Sequence, residues 1–247
     1  IARRQRQMCI RDSFTTTNAT YDPTLHVEDC TVDAAYNVVY DSHNTQNFKS
    51  VYFGNSIVKM TVANKPFYST KAKDAHTQQL IRLDNNVFYA ETPLQNYLIN
   101  CGDRSQAFQT TRLQVEVTNN TIYNIYQPNI MIRAYVLAGL TVTKNVGYYT
   151  GVTAKSYLTG VYDTAGFTAD KAEVTYNYLY TAPVSDTNFW SAKHTGSYTP
   201  ANNQMGDGVE APFSSMDAAK GYFPVDASVV KTGAGATYDT KAWFKAE

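Results

Sequence analysis

Apolar and polar residues alternate most cleanly between Arg112 and Thr118. Leu113, Val115 and Val117 fall on one side there, and Gln114, Glu116 and Thr118 on the other, which predicts a half-exposed strand. Asn119-Asn120 breaks it, and Ile130 to Leu137, apolar at most positions with Arg133 interrupting, predicts a second strand buried on both faces. Val32, Ala34, Tyr36, Val38 and Tyr40 recur at spacing two within Cys30 to Tyr40, closed by the turn Asp41-Ser42-His43-Asn44. Val51 to Val62 is β-rich except at Gly54-Asn55, the position of a bulge or tight turn. Further strands are expected at Val87 to Ala90, Tyr148 to Val152, Tyr157 to Tyr162 and Val174 to Tyr180. Lys71 to Leu83 is the helix candidate of the first half. No internal repeat of fixed period is visible.

Asn188 to Asp217 interrupts this rhythm. It holds Pro200, Asn202, Asn203, Gly206, Gly208 and Pro212 with few apolar residues, as a long loop or insertion that carries function or a contact. The expected fold is therefore all-β: an antiparallel β-sandwich of jelly-roll type with long loops and little helix. Leu113, Val115, Val117, Ile130, Ile132 and Val136 are its expected core.

Composition supports the strand reading. The 247 residues include 20 Tyr and 11 Phe against 2 Trp, and Tyr with Thr and Val is the vocabulary of half-buried sheets. A chain this long can bury roughly 70–75% of its unfolded surface, enough for a core without disulfides or metal. The 21 basic and 21 acidic residues cancel, so no overall field marks a nucleic-acid or membrane partner.

That balance is uneven along the chain. Ile1 to Ser13, IARRQRQMCIRDS, has Arg3, Arg4, Arg6 and Arg11 against Asp12, a net +3, which leaves −3 on the rest. This segment resembles the translation of a sequencing-adaptor string and is read as foreign, so residues 14–247 form the single expected domain. With the chain also stopping directly after Trp243-Phe244, both natural ends are expected to be missing.

The chemistry search finds no catalytic, cofactor-binding or metal site. His26, His43, His76 and His194 lie in four separate segments without ligand spacing. The tightest cluster, His26, Glu28, Asp29 and Cys30, reads as solvated surface, because alternation sends neighbours on a strand to opposite faces. Gly206 and Gly208 lack the Lys-Ser/Thr of a phosphate loop. Cys30 and Cys101 are either a pair in an oxidising compartment or two buried free thiols. Asn18-Ala19-Thr20 and Asn119-Asn120-Thr121 match the glycosylation sequon.

Leu113 to Gly139, LQVEVTNNTIYNIYQPNIMIRAYVLAG, resembles the mid-domain strand pair of jelly-roll capsid proteins from small icosahedral viruses, above all those of circular single-stranded DNA viruses. Ser50 to Ser56 (SVYFGNS) and Asp239 to Glu247 (DTKAWFKAE) are similar to other parts of that family. The resemblance implies a self-assembling coat subunit located in the virion. It would bind many copies of itself, and bind nucleic acid only through a basic N-terminal arm that is missing here. Thr111 to Val117 also resembles the arginine-led strand of fimbrillin-like pilus subunits, which implies a bacterial cell-surface subunit instead. A β-sandwich carbohydrate-active enzyme stands third, since it needs paired carboxylates converging in a cleft. No membrane span and no cofactor are expected.

Overall fold

The structure, a computed structural model, describes residues 14–15, 24–34, 39–41, 50–61, 67–69, 80–95, 97–101, 113–126, 132–134, 137–149, 157–161, 172–181, 188–190, 201–206 and 211–237. Among them are twenty strands and no helix. In chain order these are β1 (Phe14–Thr15), β2 (Thr24–Glu28), β3 (Thr31–Ala34), β4 (Val39–Asp41), β5 (Ser50–Gly54), β6 (Ile57–Met60) and β7 (Phe67–Ser69). There follow β8 (Leu80–Asp84), β9 (Val87–Gln95), β10 (Ile99–Cys101), β11 (Leu113–Thr118), β12 (Thr121–Tyr126) and β13 (Ile132–Ala134). The last are β14 (Leu137–Thr143), β15 (Val146–Tyr149), β16 (Tyr157–Val161), β17 (Ala172–Thr175), β18 (Tyr178–Thr181), β19 (Asn188–Trp190) and β20 (Gln204–Met205).

Each strand from β1 to β16 pairs with the one three places on, and β18 pairs with β20. Sheet A runs β1-β4-β7-β10-β13-β16-β19, sheet B runs β17-β14-β11-β8-β5-β2, and sheet C runs β20-β18-β15-β12-β9-β6-β3. Every strand pair within them is parallel. The chain therefore winds as a parallel β-helix, each coil contributing one strand to each sheet. This corrects the antiparallel jelly-roll sandwich. Alternation marks a half-buried strand whichever way its neighbour runs, so the pattern at Leu113 to Val117 was sound but silent on direction. Parallel strands need a long return path, which the other two strands of each coil supply.

The corner between sheets B and C explains the fold's regularity. It has two residues. The first takes a left-handed conformation in every coil, at Asp29, Asn55, Asn85, Asn119, Lys144, Tyr176 and Asn202, with φ between 48° and 58°. After glycine, Asn and Asp tolerate this region best, and they hold five of the seven positions. The second residue turns inward: Asn86, Asn120, Asn145 and Asn177 are fully buried there.

These asparagines form a ladder. Asn145 Oδ1 accepts from the backbone N and the Nδ2 of Asn120, both at 3.0 Å, while its own Nδ2 donates to Val117 O at 2.7 Å. Asn177 repeats the arrangement toward Asn145 and Val142 O, and Asn203 toward Asn177 and Val174 O. Toward the N-terminus Asn86 serves Ser56 N and Phe53 O, and Ser56 Oγ accepts from Cys30 N. Each buried amide thus meets backbone groups that the corner would otherwise orphan. Successive ladder residues lie 26, 30, 34, 25, 32 and 26 positions apart. The repeat is real but its length varies, so no fixed period exposes it.

Between the sheets lies an apolar core in which Val51, Phe53, Ile81, Leu83, Val115, Val117 and Val142 point inward from sheet B. Ile132 joins them, whereas the side chains of Leu113, Ile130 and Val136 fall outside the described residues. Residues 71–79 of the expected helix also fall outside, but Leu80 to Leu83 is strand, not helix. The segment Val174 to Tyr180 is two strands split at Tyr176-Asn177, and of the bulge or tight turn expected at Gly54-Asn55 it is the turn: Gly54 ends β5 and Asn55 opens a coil corner. Within Asn188 to Asp217 the described residues include β19, β20 and Pro212-Phe213, both buried.

The outer faces of sheets B and C differ. Sheet C carries Tyr89, Tyr123, Tyr148 and Tyr180 in one register across four coils. The C-terminal segment 211–237 packs on this row through Phe213, Phe223, Val230, Ala234 and Ala236 as a second apolar cluster. Its few antiparallel bridges, Phe213 to Val225 and Asp217 to Tyr222, are internal to it. No described helix is long and apolar enough to cross a membrane.

Candidate ligand-binding face

Sheet B is flanked by no such cover among the described residues. Its outward positions follow the register: Tyr52 stands beside His26 and Arg82, and Gly54 beside Glu28 and Asp84. Neighbouring coils are spaced about 4.8 Å apart, so these residues form two polar rows running along the helix axis.

At the centre is Tyr52. Gly54, two residues on and on the same face, has no side chain, and the outer half of the Tyr52 ring occupies the vacant space. A Cβ at Gly54 would lie 2.3 Å from the Tyr52 hydroxyl oxygen and 2.9 Å from Cε1. Glycine in a strand interior weakens it and marks a close approach; here it lets a ring lie down along the strand. The ring remains half-exposed.

Polar groups from neighbouring coils flank it. The His26 ring centroid is 4.4 Å from that of Tyr52, tilted by 56°. From the other side the Arg82 guanidinium lies 6.0 Å from the ring centroid, within cation–π range, and its Nε is 3.3 Å from Glu116 Oε2. Glu28 Oε2 is 3.5 Å from His26 Nε2, while its Oε1 accepts from Asn55 Nδ2 at 2.9 Å. Asp84 Oδ1 accepts from Thr118 Oγ1 at 2.5 Å and Asn119 Nδ2 at 3.2 Å. Burial first, then the Glu28 and Asp84 carboxylates, pushes the Tyr52 hydroxyl above its ordinary pKa. It stays a neutral donor at physiological pH.

One carboxylate is tied to a distant part of the chain. The Thr237 backbone N donates to Asn85 Oδ1 at 2.8 Å, Asn85 Nδ2 to Asn55 Oδ1 at 2.8 Å, and Asn55 Nδ2 to Glu28. A backbone donor at one end and a carboxylate at the other dictate the same orientation for both amides, which holds Glu28 in place.

The sequence-level cluster is thereby taken apart. His26 and Glu28 do share a face, being two apart, but Asp29 is a corner residue and Cys30 occupies the ladder position. Cys30 is a free thiol, so it does not pair with Cys101; burial pushes its pKa up. His43, His76, His194 and the Asn18 sequon fall outside the described residues. In the other sequon Asn119 bonds Asp84 and the buried Thr121 hydroxyl accepts from Ala236 N at 3.0 Å. Among the described residues no three His, Cys, Asp or Glu side chains could jointly hold a metal ion. Tyr52, the pair Arg82 and Asp84, and Glu116 escaped sequence reading because they come from three different coils, 30 or more residues apart; the one local signal was Gly54 two residues after Tyr52.

Comparison with known proteins finds no family model, no curated protein and no solved structure that matches this chain.

Proposed function

We propose that this protein binds an extended glycan, which lies along the outer face of sheet B with one sugar ring on Tyr52. The observation that carries this reading is the Tyr52 ring laid over Gly54 and flanked by hydrogen-bonding groups from adjacent coils. A pyranose has an apolar face of C–H groups and a rim of hydroxyls; an aromatic ring suits the first, and planar carboxylates and guanidinium suit the second. The rows repeat at about 4.8 Å, a step comparable with the advance of a sugar chain, so one polymer can meet several coils.

Binding is favoured over cleavage, because among the described residues the face of sheet B offers Glu28 and Asp84 no cleft in which to converge on a bond. The coat-subunit and pilus-subunit expectations rested on short stretches of resemblance and carried with them a sandwich fold, which the parallel β-helix replaces.

The test is affinity gel electrophoresis of the full chain through soluble neutral glucan, mannan and xylan. At least one should retard it, and Tyr52→Ala should weaken that retardation at least tenfold, about 1.4 kcal/mol, with the thermal unfolding curve unchanged. Gly54→Ala should weaken it too, by lifting the ring while every polar group stays. No retardation by any polymer, or retardation indifferent to Tyr52→Ala, defeats the reading.

A further inference from the structure

We infer that the glycan accepted by this face carries no acidic groups, so that polyuronates and sulfated chains are excluded. This rests on the reading of the face as a glycan site and names the class of ligand. The argument is one of donors, acceptors and charge around Tyr52.

Ionised carboxylates only accept hydrogen bonds. Glu28 and Asp84 stand on either side of the Tyr52 hydroxyl, one coil away in each direction, and both raise its pKa through their charge. What they accept comes from amide and hydroxyl groups and the His26 ring, and among the described residues no lysine or arginine pairs with either carboxylate. The cation beside the ring, Arg82, is paired with Glu116. Further along the same row Glu173 adds another carboxylate, while Lys144 stands at the corner. A ligand on this face must therefore donate, and sugar hydroxyls do so with charge-assisted strength. A uronate or sulfate would instead bring its own anion next to fixed ones. Like charges within a few ångströms repel most at low ionic strength and less as salt screens them.

The experiment compares the full chain on the neutral glucan, mannan and xylan with polygalacturonate, at low and at physiological salt, for the native sequence and for E28Q/D84N. The native chain should bind at least one neutral polymer with little salt dependence. Polygalacturonate should bind at least tenfold more weakly at low salt, with the gap narrowing as salt rises. E28Q/D84N keeps the acceptors, loses the charge and should close most of that gap. Equal or tighter binding of polygalacturonate by the native chain at low salt, or a gap untouched by E28Q/D84N, overturns the exclusion of acidic chains while leaving the glycan reading in place. Failure to bind any of the four polymers overturns the glycan reading itself.

Discussion

The outer faces of sheets B and C are built on the same coils, joined by the same two-residue corner, yet they meet different fates. Sheet C directs Tyr89, Tyr148, Tyr178 and Tyr180 outward, and all are buried under the C-terminal segment. Sheet B directs outward His26, Glu28 and Arg82, which stay exposed, and Tyr52 and Glu116, which are half-buried. A solenoid coil can hide only its inward side chains, so each outward row is either polar enough to face water or must be covered. Among the described residues both solutions are used, and the row left uncovered there is the one proposed to take a ligand.

If the cover is integral, its central ring should matter most. Phe223 is fully buried, 4.2 Å from Tyr123 in a stacked contact and 5.6 Å from Phe213. Phe223→Ala should cost about 3–5 kcal/mol, as for other buried aromatics, read as a lower denaturant midpoint. A loss below about 1 kcal/mol would mean that the segment merely rests on sheet C, and the contrast between the faces would dissolve.

The ladder serves both faces at once. Asn145→Ala removes the acceptor of Asn120 N and the donor to Val117 O, both buried. Leaving two such groups unsatisfied should cost about 3 kcal/mol, measured by the same unfolding curve. An unchanged midpoint would show that water satisfies the corner and that the asparagines do not define the coil.

Alkaline titration probes the covered face and should have the mildest effect. Burial, reinforced by Glu91, Asp33 and Asp217, pushes the Tyr89 pKa from 10.0 up to about 12. A raised folded-state pKa means that the stability it contributes is whole below pH 10 and is lost as pH climbs from 10 through about 12. Burial also raises Tyr123 and Tyr148. Tyrosinate absorbance should therefore lag behind that of free tyrosine, and the cover should loosen over this interval. If Tyr89→Phe leaves the titration curve unaltered near its upper end, the tyrosine row is open to solvent.

Much of this was written locally. The alternation of Leu113, Val115 and Val117 and the break at Asn119-Asn120 depend on residues within one strand and one turn, where short-range sterics and the two-residue period decide the outcome. Strand direction, by contrast, was settled only by tertiary structure. A half-buried strand has the same pattern beside a parallel or an antiparallel neighbour, and the partner of Val115 lies at Ile81 on one side and Leu140 on the other. Loops of unequal length between coils hid the repeat from any search at constant spacing. The site was hidden for the same reason: Gly54 beneath Tyr52 is local, but His26, Arg82 and Asp84 reach that ring only because coils stack in register, an arrangement set by the buried asparagine ladder and the core it lines up.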